Sequence, residues 1–182
     1  MKHYSKKELF SIPNIMGYFR LLMIPVFAAI YLNAETDRDY YIAAAVMGIS
    51  SITDLFDGLI ARKFNMITEF GKFLDPFADK MTQGVVLLCL STRYPLILGL
   101  VALFAVKEGY MAVMGLIKLR EGKKLDGAMW FGKVCTALLF VMMFVLILFP
   151  AISEVIANVL IAACGIAMAV SFVLYIPVFQ KM

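Results

Sequence analysis

The chain has 182 residues, 63% hydrophobic and 16% charged, with a formal net charge of +4 and a mean hydropathy of +0.88. Soluble domains run nearer roughly 45–50% apolar and about 25% charged, so this composition excludes an ordinary soluble globule and describes an integral membrane protein. His3 is the lone histidine, which excludes histidine triads and His-ligated metals, and Cys89, Cys135 and Cys164 stand singly inside apolar runs, as buried thiols that pack like small hydrophobes.

In chain order, residues 1–15 form a juxtamembrane segment. Within it, residues 4–14 (YSKKELFSIPN) mix charge with Tyr4, Leu9, Phe10 and Ile12. Ser5 followed by Glu8 matches a capping box, and Pro13 ends or turns the segment. A short amphipathic helix on the inner leaflet is expected, with a solvated tail as the alternative. No short apolar run with a small-residue cleavage site is present, so the first apolar run is expected to remain as a membrane helix. A hydrocarbon core of roughly 30 Å needs about 20 residues per helix. The pattern predicts six spans, at 17–32, 41–61, 73–90, 95–119, 129–149 and 152–178. Turn-like breaks separate them: NAETDRD, RKFNMITEFGK, STRYP, REGKKLDG and FPAIS. The expected architecture is therefore an all-α membrane protein, one domain over 1–182, with six transmembrane helices plus the short amphipathic one.

Six spans put both termini on one side. Lys2, Lys6, Lys7, Arg20, Arg62, Lys63, Lys72, Lys80, Lys118, Arg120, Lys123, Lys124, Lys133 and Lys181 fall on the N-terminal face, against Arg38 and Arg93 on the other. The positive-inside rule makes the N-terminal face, and both termini, cytoplasmic. This topology also accounts for the basic balance, so no nucleic-acid partner is called for. The last two spans are uncharged across the membrane (134–153 and 155–179), whereas the other four carry charge near their cytoplasmic ends. Such a bias is expected of a polar cavity lined by several helices. Lys118 and Lys181 read as snorkelling side chains. Lys107 and Glu108 lie mid-span, either lining that cavity or forming a structural ion pair.

Four aspartates, Asp54, Asp57, Asp75 and Asp79, stand in DLFDGLIARKFNMITEFGKFLDPFADK, with the spacing D-x2-D-G-x2-A-R-x8-G-x3-D-x3-D. A charged side chain at mid-membrane costs roughly 2.5–3.5 kcal/mol on insertion scales, so four together require a compensating cation. Offsets of three and four residues place Asp54 with Asp57, and Asp75 with Asp79, on common helix faces. Two such faces meeting would make an oxygen-rich cage suited to Mg²⁺, Mn²⁺ or Ca²⁺. Gly58, Ala61 and Gly71 follow the same helical offsets and leave room for a ligand or a neighbouring helix. Arg62 and Lys63 add positive charge. Acids, small residues and arginine together suggest a metal-bridged phosphate ligand.

This segment resembles the signature of the CDP-alcohol phosphatidyltransferase family at every fixed position. Pro13-Asn14-x5-Arg20 resembles the N-terminal P-N-x2-T-x2-R element of its bacterial phosphatidylglycerophosphate and cardiolipin synthase branch, and Trp130-Phe131-Gly132-Lys133-x2-Thr136 resembles that branch's W-x-G-K-x2-T segment. The resemblance covers almost the whole chain. It implies that a hydroxyl attacks a CDP-linked lipid at the phosphorus nearest the diacylglycerol and that CMP leaves. It further implies Asp54, Asp57, Asp75 and Asp79 as ligands of a mononuclear or dinuclear site, with Mg²⁺ as the metal and Mn²⁺ as a substitute. Asp79 is the implied general base, a role to be reconciled with metal ligation. Asp54, Gly58, Ala61, Arg62 and Gly71 are implied in CDP binding. Two departures stand out: Gly17 replaces the expected threonine, and Ala105-Val106-Lys107-Glu108 replaces G-R-[ED], keeping charge without the planar arginine fork.

The acceptor alternatives are glycerol 3-phosphate, phosphatidylglycerol, inositol phosphate and serine. Arg20, Lys107, Arg120 and Lys133 are the candidate acceptor-binding cations, and they favour glycerol 3-phosphate. Phosphatidylglycerol, the cardiolipin synthase acceptor, is also anionic. A metal or ion transporter is the rival class. It would place its acids nearer the midplane, often in paired repeats, whereas here they cluster at one surface in a single copy. The expected partners are CDP-diacylglycerol, one of these acceptors, the lipid bilayer and a second copy of the chain. The expected place is the cytoplasmic membrane, with the site facing the cytosol.

Overall fold

The computed structural model describes residues 10–64, 66–123 and 127–181, and these are helical apart from turns and short connections. Six helices follow in order: α1 Ile12–Leu32, α2 Asp37–Lys63, α3 Gly71–Ser91, α4 Ile97–Arg120, α5 Trp130–Leu148 and α6 Glu154–Lys181. All but α3 are long and apolar enough to cross a membrane. α3 has the length, but Lys72, Asp75, Asp79 and Lys80 crowd its first half. The N-terminal amphipathic segment falls mainly on residues 1–9, outside the described residues. Pro13 does not end a helix. It sits in the first turn of α1, which begins five residues before the expected span. There its missing N–H removes no helical hydrogen bond and its fixed φ suits helix entry.

The chain divides into two compact units, residues 1–89 and 90–182. In the first, α1 packs along α2. Phe27 and Tyr31 of α1 and Ala43, Ala44 and Met47 of α2 are buried, the alanines allowing close approach. The Tyr31 and Tyr40 rings meet edge to face at 5.4 Å. Helix α2 starts earlier than hydropathy alone suggests. The Asp39 carboxylate accepts the Thr36 N–H at 2.8 Å and the Glu35 N–H at 3.1 Å, satisfying donors at the helix start.

In the second unit, α6 packs against both α4 and α5. Its core holds Leu139, Met143, Leu146 and Ile147 of α5 with Ile161 and Met168 of α6. Tyr175 of α6 is buried beside the start of α5. Its hydroxyl accepts the Met129 N–H at 3.3 Å, and its ring lies edge-on to Phe131 at 4.8 Å. A Cβ on Gly132 would run into that hydroxyl, which explains the glycine of the W-x-G-K segment. Helix α4 ends in a Schellman arrangement. Gly122 takes φ +77°, and Lys123 N–H returns to the Lys118 carbonyl at 2.9 Å. Across another connection, Arg93 Nη2 donates to the Pro150 carbonyl at 2.8 Å. Apolar side chains such as Leu55 and Leu59 on α2 and Val155, Val159 and Ile166 on α6 point outward, as a lipid-facing surface requires.

Candidate active site at the four aspartates

The site lies within the first unit and uses three helices. On α1, Asn14, Gly17 and Arg20 recur every three residues and are all buried. Each meets the segment around the start of α3. Asn14 Nδ2 donates to Thr68 Oγ1 at 3.2 Å, and Thr68 Oγ1 also accepts the Gly71 N–H at 2.9 Å, capping the first turn of α3. A Cβ on Gly71 would stand 2.7 Å from Asn14 Oδ1. A Cβ on Gly17 would stand 2.8 Å from Leu74 Cδ2. The missing threonine at position 17 therefore has a local reason: Leu74 occupies the space a side chain there would need.

Arg20 is the centre of the arrangement. Its Nη1 pairs with Asp54, its Nε lies 3.5 Å from Asp57, its Nη2 lies 3.7 Å from Asp75, and Nη1 lies 3.7 Å from Asp79. The two aspartates of α2 and the two of α3, each pair on one helix face as its offset predicts, thus meet around a guanidinium. The Arg20 side chain is 3% exposed and that of Asp57 4%, whereas Asp54, Asp75 and Asp79 are each more than 40% exposed. Three accessible carboxylates therefore stand around a buried pair, Arg20 and Asp57. Arg20, expected among the acceptor-side cations, is placed inside the aspartate group.

Next to the acids lies a pocket of about 190 Å³, walled by Gly58, Ala61, Arg62, Gly71 and Asp75 together with Asn14 and Thr68. Arg62 Nη2 comes within 3.8 Å of where a Cβ on Gly58 would stand, so its guanidinium folds back one turn over the glycine. The volume falls below the roughly 300–1,000 Å³ of a drug-sized ligand site. It admits a base or a headgroup, with the rest of a larger ligand outside. Asp54 is the one expected CDP-binding residue that is not in its wall. Asn14 and Thr68 were not among the expected site residues. Asn14 stands in the quoted Pro13-Asn14 element, and Thr68 precedes Gly71 at capping distance, a cue that only a known helix start makes readable.

Three of the remaining cations belong to the second unit. Lys107 is buried, with Nζ 2.6 Å from Glu108 Oε1. Arg120 and Lys133 are exposed, one at the end of α4 and the other in the first turn of α5.

The donor set fits a hard divalent cation. It is all oxygen, it is four carboxylates from two helices, and the buried Asp57 Oδ2 has no hydrogen-bond partner among the described residues. The carboxylates surround Arg20 rather than one another, and among the described residues no three His, Cys, Asp or Glu side chains converge as a ready-made metal cluster.

Residues 10–176 match the family model described as CDP-alcohol phosphatidyltransferase. The chain belongs to the CDP-alcohol phosphatidyltransferase family. Among its relatives, a probable phosphatidylglycerophosphate synthase of Mycobacterium tuberculosis H37Rv is 36% identical over 133 residues, covering 72% of this chain and 63% of that protein. The CDP-diacylglycerol–glycerol-3-phosphate 3-phosphatidyltransferase of Rickettsia felis is 43% identical over 81 residues, 44% of each chain. The Escherichia coli K12 protein of the same name is 35% identical over 85 residues, 47% of this chain and 46% of the other. The chain thus spans under two thirds of the length of these relatives. All four aspartates, Arg20 and the pocket residues lie within the family match.

Proposed function

We propose that this phosphatidyltransferase-family chain makes phosphatidylglycerophosphate, transferring the phosphatidyl group of CDP-diacylglycerol to the hydroxyl of glycerol 3-phosphate and releasing CMP. The observation that carries this reading is the placement of Asp54, Asp57, Asp75 and Asp79 around Arg20, beside a pocket walled by Gly58, Ala61, Arg62 and Gly71. The names of the relatives support glycerol 3-phosphate as the acceptor, since those cited are named for phosphatidylglycerophosphate or for glycerol 3-phosphate.

In the reaction, the acceptor oxygen forms a bond to the phosphorus nearest the diacylglycerol as the bond from that phosphorus to the CMP oxygen breaks. The hydroxyl proton passes to a carboxylate, and CMP departs with the electron pair. Asp79, one of the exposed carboxylates, is the proposed base. Asp54, Asp57, Asp75 and Asp79 would hold Mg²⁺, with Mn²⁺ as a substitute. The bound ion supplies neutralisation of pyrophosphate charge, which dominates catalysis of phosphoryl transfer. Gly58, Ala61 and Gly71 leave room for the cytidine, and Arg62, folded over Gly58, presents a two-pronged donor to phosphate. Arg120 and Lys133 are the proposed acceptor-side cations of the second unit, with Lys107 engaged by Glu108. The proposed setting is a six-span protein in the cytoplasmic membrane with its site on the cytosolic face, α3 serving as the third span.

Purified protein supplied with CDP-diacylglycerol, Mg²⁺ and separate acceptors tests the assignment, with lipid products resolved by mass. Phosphatidylglycerophosphate from glycerol 3-phosphate is expected. Cardiolipin formed from phosphatidylglycerol, with no product from glycerol 3-phosphate, would overturn it in favour of cardiolipin synthesis.

A further inference from the structure

Arg20 is placed as a counter-ion rather than as a fitted hydrogen-bonding partner. An arginine seated for structure forks onto carboxylates at about 2.7–2.9 Å. Here only the Asp54 contact is close. The approaches to Asp57, Asp75 and Asp79 are 3.5, 3.7 and 3.7 Å. Arg20 Nε and Nη2 are buried and, among the described residues, have no hydrogen-bond partner; the same holds for Asp57 Oδ2, which faces them. A buried donor left unmatched is costly. The guanidinium therefore holds its place through charge, shared among four acids, with poor local geometry. Four carboxylates against one guanidinium also leave negative charge in surplus where Asp54, Asp75 and Asp79 are exposed.

We propose that Arg20 is a built-in stand-in cation: it keeps the four aspartates assembled when no metal is bound, and a divalent ion must displace it from their centre in order to bind. This rests on the metal reading above and adds a cost of loading set by one residue of α1. Two opposite consequences follow from one side chain. Without metal, Arg20 stabilises the fold by screening carboxylates that would otherwise repel one another. With metal, it competes for the same oxygens. An arginine that served only to help hold the metal's ligands would stabilise both states, and its loss would weaken metal binding.

The test uses the full chain purified in detergent, stripped with EDTA and titrated with Mn²⁺. Binding is followed by the loss of free-ion electron paramagnetic resonance signal, alongside thermal unfolding with and without Mn²⁺. Arg20→Gln is expected to melt lower than wild type in EDTA, to gain more on adding Mn²⁺, and to bind Mn²⁺ at least about tenfold more tightly, as removal of a competing charge about 4 Å from the carboxylates requires. Arg20→Lys guards against failure to fold. It keeps one cation that cannot reach four acids at once, and its Mn²⁺ affinity should fall between the other two. Wild-type Mn²⁺ binding with unchanged or weaker binding in both variants would overturn the stand-in role and leave the metal reading intact. Absence of Mn²⁺ binding in wild type and variants alike would overturn both.

Discussion

Asn14 on the first helix donates to Thr68 Oγ1 across 3.2 Å, though 54 positions separate them in sequence. Its Oδ1 occupies the space that a side chain on Gly71 would enter. The pair ties the start of α1 to the start of α3 and forms part of the pocket wall. Gly71→Ala should therefore push Asn14 out of place, with an overpacking cost of about 1–3 kcal/mol and a raised KM for CDP-diacylglycerol. In an Asn14→Ala background the same substitution should cost clearly less, because its collision partner is gone. Thermal unfolding of the four proteins in the cycle checks this. Equal costs in both backgrounds would show that the glycine answers to something other than Asn14.

The proposed metal ligation by the aspartates predicts metal dependence. CMP release should stop in excess EDTA and return with Mg²⁺ or Mn²⁺. Asp57→Asn and Asp75→Asn should each lower turnover by at least about 10²-fold, the usual weight of a lost electrostatic contact in the transition state. Asp57 is the more informative of the two, since its side chain is buried against Arg20. Near-wild-type turnover in either variant would remove that residue from the ligand set.

Asp79 separates base from ligand. As the base, its replacement by Asn should abolish transfer while CDP-diacylglycerol binding, followed by isothermal titration in detergent, stays within a few-fold of wild type. Parallel loss of binding and turnover would assign it to metal ligation.

Lys107 and Glu108 bear on stability. With Lys107 buried and its ammonium 2.6 Å from the carboxylate of Glu108, Lys107→Ala removes this ion pair. A loss of about 1–3 kcal/mol is expected, read as a lower melting temperature, and Lys107→Ala/Glu108→Ala should recover part of it. The KM for glycerol 3-phosphate should move little. A rise of tenfold or more without loss of stability would instead make Lys107 an acceptor contact.

Topology is tested at two connections. On a background lacking Cys89, Cys135 and Cys164, Asp37→Cys should react from outside intact cells with a membrane-impermeant thiol reagent. Lys123→Cys should react only after permeabilisation. The reverse pattern would place the aspartates on the outer face and overturn the proposed cytosolic site.

The helices were legible in the sequence because a bilayer imposes runs of about 20 apolar residues, and five of the six helices carry that mark. The breaks were legible for a similar reason: Gly122, with its positive φ, falls in the REGKKLDG break. The carboxylate pairs were legible too, since helical periodicity puts Asp54 with Asp57 and Asp75 with Asp79 on common faces whatever else the chain does. Local contacts of this kind are written in spacing. What spacing does not contain is which face meets which. That Arg20 enters the middle of the aspartates, that Leu74 fills the space beside Gly17, and that Tyr175 presses on Gly132 are contacts across tens of residues. Each depends on how helices pack in three dimensions, where a rotation of about 100°, one residue's step, would exchange one neighbour for another. The sequence by itself therefore determined a helical membrane protein with an acidic motif of the CDP-alcohol phosphatidyltransferase kind. Only the tertiary structure decided that the cation at the centre of that motif is one of the chain's own arginines, because only packing brings a side chain of α1 between carboxylates of α2 and α3.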